Sequence, residues 1–473
     1  MSDIVTNLDR RKALMKVAWP LIINSGSFAL LNFFDRLFLS WYSEATFRAS
    51  LPAGILFFTF VCGFMALAGI TNTFVAQLWG RGDRIGCSRA TAQGICFALL
   101  SAPLILCLMP IGLAILNLTG HEQEILVLEK QYFKILLFGG GGMVLSSALS
   151  AFFSGRGRTR VVMSCNIIAN LINVILNYLF VFGRFGLPEM GIIGAAWGSV
   201  ISSWICPLLF AFLYFSPKKR SEFDTVGQLR FDRPLFLRML RFGAPSGIHF
   251  FTEVAAFSIF VLLIGRLGSV AHVASNIALS INLIAFMPMI GMGIAASILV
   301  GQHLGRGDPE EAARMGWFAL RFGMGYIALV GLSFVFFPDM YLQLFTAENT
   351  DVSDVALRNA VQKLLVVVAL WGLADAASLI LSGALKGAGD THFVMRYQAF
   401  AAWGFLVPGQ LVIVVLLQSS YLVSWIWTLL YIGILGAGFS LRFASGKWKS
   451  IKLLEKRPVV SPVGARSDSL KQV

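Results

Sequence analysis

Long apolar runs, separated by short polar stretches, dominate the chain. They fall at about 17–42, 50–76, 91–116, 131–153, 161–183 and 191–215. A polar, basic stretch follows, with Lys218, Lys219, Arg220, Arg230 and Arg233. Six more runs come after it, at about 236–264, 274–303, 315–345, 361–385, 393–417 and 421–444. A helix that crosses a bilayer needs about 20 mainly apolar residues. The pattern therefore predicts an all-α integral membrane fold with twelve transmembrane helices. The expected division is an N-terminal six-helix lobe (1–215), a linker (216–235), a C-terminal six-helix lobe (236–445) and a basic, partly disordered tail (446–473).

Composition supports this pattern. Hydrophobic residues make up 57% of the 473 positions and charged ones only 13%. A soluble domain carries about a quarter charged residues. The net charge of +14 would suggest nucleic acid on a soluble protein. Here it follows from Lys and Arg gathered in the loops of one membrane face, and no nucleic-acid partner is expected. With the N-terminus inside, the inner loops hold Arg10, Arg11, Lys12, Arg81, Arg84, Arg89, Arg156, Arg158 and Arg160. The outer ones hold Glu44, Glu122, Glu124, Glu189, Asp339, Glu348 and Asp351. Both termini are thus expected in the cytoplasm. Residues 1–16 are polar and basic, which is unlike a cleavable signal peptide. The six cysteines, Cys62 to Cys206, show no paired metal-ligand spacing and read as small buried hydrophobes.

The chain also repeats itself. VAQLWGRGD begins at Val75 and VGQHLGRGD at Val300. The same register pairs Pro20 with Pro245 and Ala49-Ser50 with Ala274-Ser275. Further on, SGRGRT from Ser154 matches KGAGDT from Lys386. A repeat after an even number of spans keeps its orientation. The two six-helix bundles should therefore be related by a pseudo-two-fold along the membrane normal, around a central cavity. The GRGD segments are expected to form tight turns with local Arg–Asp pairing.

Three acidic residues lie deep in apolar runs: Asp35, Glu253 and Asp375. Each costs about 2.5–3.5 kcal/mol at a helix centre, so a functional role is the default reading. Trp371 stands one turn before Asp375. In the fifth run Asn166, Asn170, Asn173 and Asn177 are spaced by four, three and four, which makes one helix face. That face should point into the bundle, either as carbonyl oxygens beside Asp35 or as interhelical hydrogen-bond glue. His249, one turn before Glu253, either tunes that carboxylate or packs. Phe28, Phe34, Phe250, Phe251, Phe286, Met287 and Met289 are candidate cavity walls. Pro20, Pro245, Pro288 and Pro408 are expected to bend their helices.

The segments NFFDRLFLSWY, PSGIHFFTE, LADAASLILSGALKGAGDT and LNYLFVFGRFGLPEMGIIGAAWGS, with the paired VAQ/VGQ…GRGD motifs, resemble the multidrug and toxin extrusion (MATE) transporters, nearest the NorM-like branch. The resemblance covers nearly the whole chain. It implies a secondary active antiporter of the bacterial inner membrane, a monomer, that exports cationic hydrophobic compounds against inward protons or sodium. It implies no cofactor and no enzyme activity. By motif, Glu253 and Asp375 match carboxylates implicated in cation coupling, and Asp35, Asn173 and Asn177 match the N-lobe ion site. A sodium ion would sit at one set or the other. Ser199 stands where the family often has Thr, and Trp371 where Tyr is common. Arg36 follows Asp35 where the family usually has a small or neutral residue. The alternative is a flippase for a lipid-linked precursor or lipid, which should line its cavity with Arg and Lys. A membrane enzyme would need a paired acidic motif or a His cluster, and none is present in the sequence.

Overall fold

The computed structural model describes residues 6–343 and 355–454. Among them, twelve helices are long and apolar enough to cross a membrane. They are α1 (Asn7–Tyr42), α2 (Glu44–Gly80), α3 (Arg84–Asn117), α4 (Gln123–Ser154), α5 (Thr159–Phe182) and α6 (Gly191–Tyr214), then α7 (Arg233–Ile264), α8 (Ser269–Gly305), α9 (Pro309–Phe336), α10 (Val355–Ala388), α11 (Thr391–Leu416) and α12 (Tyr421–Ala444). The predicted class is the observed one: two six-helix bundles.

Local chemistry sets the helix starts. Thr6 and Asp9 form a reciprocal capping box ahead of α1. The two GRGD turns correct the expected Arg–Asp pairing. Asp83 instead accepts the Gly86 N–H at 2.8 Å, and Asp308 accepts the Glu311 N–H at 2.9 Å. Each aspartate caps the following helix and satisfies a donor that would otherwise lack a partner. Gly82 and Gly307 precede them at φ 79° and 83°, the left-handed region glycine adopts without strain. In α11, wider turns at Ala401–Leu406 and Val412–Leu416 flank Pro408. They absorb the hydrogen bond that proline cannot donate.

The lobes meet along α1 and α2 on one side and α7 and α8 on the other, as the crossed pairs α1/α8 and α2/α7 plus α2/α8. That is the pattern a two-fold exchange of halves requires. Their contacts gather at the end that carries the termini. Leu14, Val17, Ala18 and Leu21 of α1 lie in the C-lobe core. Gly63 of α2 packs against Gly247 of α7, and Gly291 of α8 against Ile22 of α1. Towards the opposite end, Phe28, Phe33, Phe47, Leu51, Ile55, Phe251, Phe257 and Leu283 of the same four helices are exposed. The lobe-to-lobe packing is thus concentrated at the terminal face.

Between the lobes, a short helix (Pro217–Phe223) docks on the N-lobe. Its buried Phe223 lies 5.1 Å from the Phe152 ring, with the Arg156 guanidinium 4.5 Å above it. After α12 the chain makes a turn (Lys447–Ser450) that buries Trp448, and Leu453 then enters the N-lobe cluster around Phe74 and Phe210. The start of the expected tail is therefore structured. Residues 455–473 lie outside the described residues.

Candidate ion and substrate site

The asparagine face of α5 divides into two pairs with different partners. Asn166 donates to Asn24 Oδ1 at 2.7 Å and Asn170 to Ser27 Oγ at 3.2 Å, both on α1. These two fasten α5 to α1. One and two turns further, Asn173 donates to Ser202 Oγ at 2.9 Å and to Ser199 Oγ at 3.3 Å. Asn177 donates to Asp35 Oδ1 at 2.6 Å and to Asn173 Oδ1 at 3.1 Å. Asp35, Asn173, Asn177 and Ser199 thus form one oxygen-rich group between α1, α5 and α6.

Asn177 is fully buried, and its Oδ1 has no hydrogen-bond partner. A Cβ at residue 198 would overlap that oxygen, so Gly198 of α6 makes room for it. An unpaired buried carbonyl oxygen costs about 1–3 kcal/mol. Beside a carboxylate it gives a proton carrier or a hard cation a ready acceptor. Asp35 and Arg36 form no ion pair, because adjacent helix residues point about 100° apart. Sequence reasoning missed Tyr132 of α4, a buried residue within electrostatic reach of Asp35.

The C-lobe group is assembled differently. Glu253 of α7 keeps 37% of its side chain accessible. Asp375 of α10 is half-buried and within electrostatic reach of Glu253. Tyr431 of α12 is buried nearby, and Gln398 of α11 donates to its hydroxyl at 2.8 Å. Trp371 is buried in a ring cluster with Phe260 and Trp425, at 6.3 and 5.4 Å between centroids.

This group also has a basic neighbour. Lys386 of α10 places its Nζ 3.4 Å from His249 Nδ1, and that nitrogen is 3.8 Å from Glu253 Oε2. His249 is therefore more than a packing residue. No direct Lys386–Glu253 ion pair forms within 4 Å, and more than a third of the Glu253 side chain stays accessible.

The cavity walls also need revision. Phe251 is 46% exposed, and Phe250 meets Phe58 of α2 across the seam at 6.1 Å. Met289, at 1% exposure, belongs to the C-lobe core. Met287, two residues earlier, stays half-buried.

The repeated VAQ/VGQ motifs close the terminal end. Gln77 Nε2 of α2 donates to the Gly387 carbonyl at 3.0 Å. Its repeat equivalent, Gln302 of α8, donates to the Gly155 carbonyl at 2.8 Å. Gly80 packs on the Gln302 backbone and Gly305 on the Gln77 backbone, so close that a Cβ on either would overlap a carbonyl oxygen. Thr73 Oγ1 donates to the Lys386 carbonyl at 3.3 Å. Arg10 of α1 reaches Glu311 of α9 through Nε at 2.6 Å and Nη2 at 2.9 Å. Every one of these contacts crosses between lobes.

A sequence model of the MatE family matches residues 20–179 and 245–412, one stretch in each lobe. The chain belongs to the MatE family. Among curated relatives it is similar to a probable multidrug resistance protein NorM of Thermotoga maritima, 27% identical over 457 residues that cover 95% of each chain. It is also similar to multidrug resistance protein NorM of Vibrio cholerae, 28% identical over 84% of this chain and 85% of that one. Among solved structures, an outward-facing multidrug resistance MATE family transporter of the MOP superfamily aligns at TM-score 0.82 and 17% identity. It covers 93% of this chain and 97% of its own. A eukaryotic MATE transporter aligns at 0.81 and 21% identity, over 94% and 97%. At these identities the likeness establishes the fold. Family and helices together make this MatE-family chain a multi-pass membrane protein.

Proposed function

We propose that this protein is an exporter of cationic, lipophilic compounds, driven by inward protons or sodium, and that the structure is its outward-facing state. The observation that carries the reading is the pair of acidic groups, Asp35 with Asn173 and Asn177 in one lobe and Glu253 with Asp375 in the other, in lobes joined at the terminal face; we take the space between them as an open cleft. A carboxylate in a low-dielectric cleft holds a proton, a sodium ion or a cationic drug, one at a time. Competition for the same charge is what couples ion entry to drug exit.

The Lys and Arg bias of the terminal-face loops supports placing that face in the cytoplasm. The cleft then opens outward. We take residues 1–215 and 236–445 as the two moving bodies, 216–235 as a tether fixed to the N-lobe, and 446–473 as a cytoplasmic tail. Names of relatives such as multidrug resistance protein NorM support the drug cargo, and bacterial relatives support an inner-membrane location.

The test is uptake of a lipophilic dye cation into everted vesicles, with proton and sodium gradients imposed separately. Wild-type flux should follow at least one gradient. Glu253→Gln and Asp375→Asn should each lower it by about tenfold or more, the loss expected when a charged partner worth about 1.5–3 kcal/mol is removed. Flux indifferent to both gradients removes antiport. Wild-type rates in both variants remove the C-lobe assignment.

A further inference from the structure

We infer that Lys386 is a tethered cation of the C-lobe site, which takes the coupling ion's place at Glu253 and links the site to the closed seam. The inference rests on the antiport reading above and names a residue that reading does not use.

The placement of the amine is the first observation. Lys386 lies in the last turn of α10, at the terminal face, where a lysine ordinarily extends its amine to water. Its Nζ turns instead to buried His249, 3.4 Å away. An amine turned inward needs a negative charge to offset lost hydration, and the one in reach is Glu253. A protonated lysine only donates hydrogen bonds, so Nδ1 of His249 accepts. That nitrogen then has no proton to offer Glu253 Oε2, 3.8 Å off. Glu253 is balanced by charge at a distance but is not hydrogen-bonded by the pair, so its oxygens remain open to an ion from the cleft.

The repeat supplies the second observation. Lys386 corresponds to Ser154, which precedes Gly155 as Lys386 precedes Gly387. Both glycine carbonyls accept a glutamine amide from the other lobe. The scaffold is duplicated, but the Ser154 hydroxyl stays within its own lobe, against Asn72 Oδ1 at 2.8 Å and the Ser150 carbonyl at 3.1 Å. At this repeat position the amine is present in one lobe, the one holding Glu253 and Asp375.

The third observation is the grip on the backbone. Thr73 and Gln77 of the N-lobe hold the Lys386 and Gly387 carbonyls. Opening the terminal face must break those two bonds, and both end on the residue that carries the amine or its neighbour. An ion arriving at Glu253 and the amine repel each other. When the seam parts, the amine remains with the carboxylate as the ion leaves.

Lys386→Gln and Lys386→Arg in proteoliposomes test this, read as the half-saturating ion concentration and the maximal rate of dye exchange. Without the resident charge Glu253 should hold the ion more tightly. Lys386→Gln should lower the half-saturating concentration about tenfold and the maximal rate at least tenfold, while Lys386→Arg stays within about threefold of wild type. Thr73→Val should lower the rate and leave half-saturation unchanged. If wild type is ion-coupled and Lys386→Gln slows exchange with half-saturation unmoved, Lys386 is structural and the inference fails. If Lys386→Gln is not recovered folded, Lys386→Arg decides: a shift of tenfold or more in half-saturation overturns it. Wild-type exchange indifferent to both ions overturns the antiport reading instead.

Discussion

Replacing Gly305 with alanine should open the terminal face. The added methyl carbon would stand 2.7 Å from the Gln77 carbonyl carbon and 2.9 Å from its Cα, with the carbonyl oxygen closer still. Carbon–carbon contact is comfortable near 3.5–4.0 Å, so α2 and α8 must part by about 1 Å. The obstacle is backbone and cannot rotate away. The paired amide bonds, Gln77 to Gly387 at 3.0 Å and Gln302 to Gly155 at 2.8 Å, would then exceed hydrogen-bond length. Each such bond is worth about 0.5–1.5 kcal/mol net, and overpacking adds about 1–3 kcal/mol. A sum near 3 kcal/mol shifts the closed-to-open ratio by about a hundredfold. Spin labels at Ile85 and Glu310, repeat-equivalent positions at the starts of α3 and α9, would report it on a cysteine-free background. Their distance distribution should move to longer values in Gly305→Ala and in Gly80→Ala. Gly54→Ala, on α2 with nothing within 4 Å of the new carbon, is the control. Identical distributions in all four proteins would refute the steric argument.

The N-lobe site should depend on Asn177. Asn177→Ala removes the 2.6 Å donor to Asp35 and should cut gradient-driven dye export about tenfold, since a hydrogen bond to a charged group is worth about 1.5–3 kcal/mol; export at the wild-type rate would contradict the assignment. Glu311→Gln strands Arg10, and Arg10→Gln leaves Glu311 with only the exposed Arg314 at 3.6 Å, in a pair whose side chains are 13% and 6% exposed. Each should destabilise the closed face by about 3–5 kcal/mol in the spin-label measurement, and the double variant should be milder than either single one. A double variant worse than both would mean the pair is not what joins α1 to α9. Trp448→Ala empties a fully buried site where the indole stacks on Phe443 at 4.8 Å. It should cost about 3–5 kcal/mol and lower the thermal midpoint by several degrees; an unchanged midpoint would show the turn to be dispensable.

The helices, the repeat and the acidic residues were legible in the sequence, because each rests on a pattern that needs no partner to recognise. Twenty apolar residues declare a span alone, and a carboxylate inside one declares its own cost. Asn173 and Asn177 were legible for the same reason, through their spacing. What the sequence concealed depends on distance between elements. Lys386 sits in a motif that reads as a helix end, and its inward turn appears only when α10 is set beside α7. Glu129 stands two residues before the apolar run at 131–153. It is fully buried, with Oε1 2.8 Å from His121 Nδ1. The asparagine face looked uniform, and only the packing of α1 and α6 separates Asn166 and Asn170 from the pair at Asp35.

The turn after α12 bears on how the protein is made. Trp448 and Leu453 follow all twelve helices in the chain, yet Leu453 finishes its packing in the first-made lobe, at 1% exposure. During synthesis both bundles are in the bilayer before this stitch is available to join them. The newborn protein therefore passes through a stage of synthesis with two inserted halves and an unlatched terminal edge, which the stretch from Trp448 to Leu453 then completes.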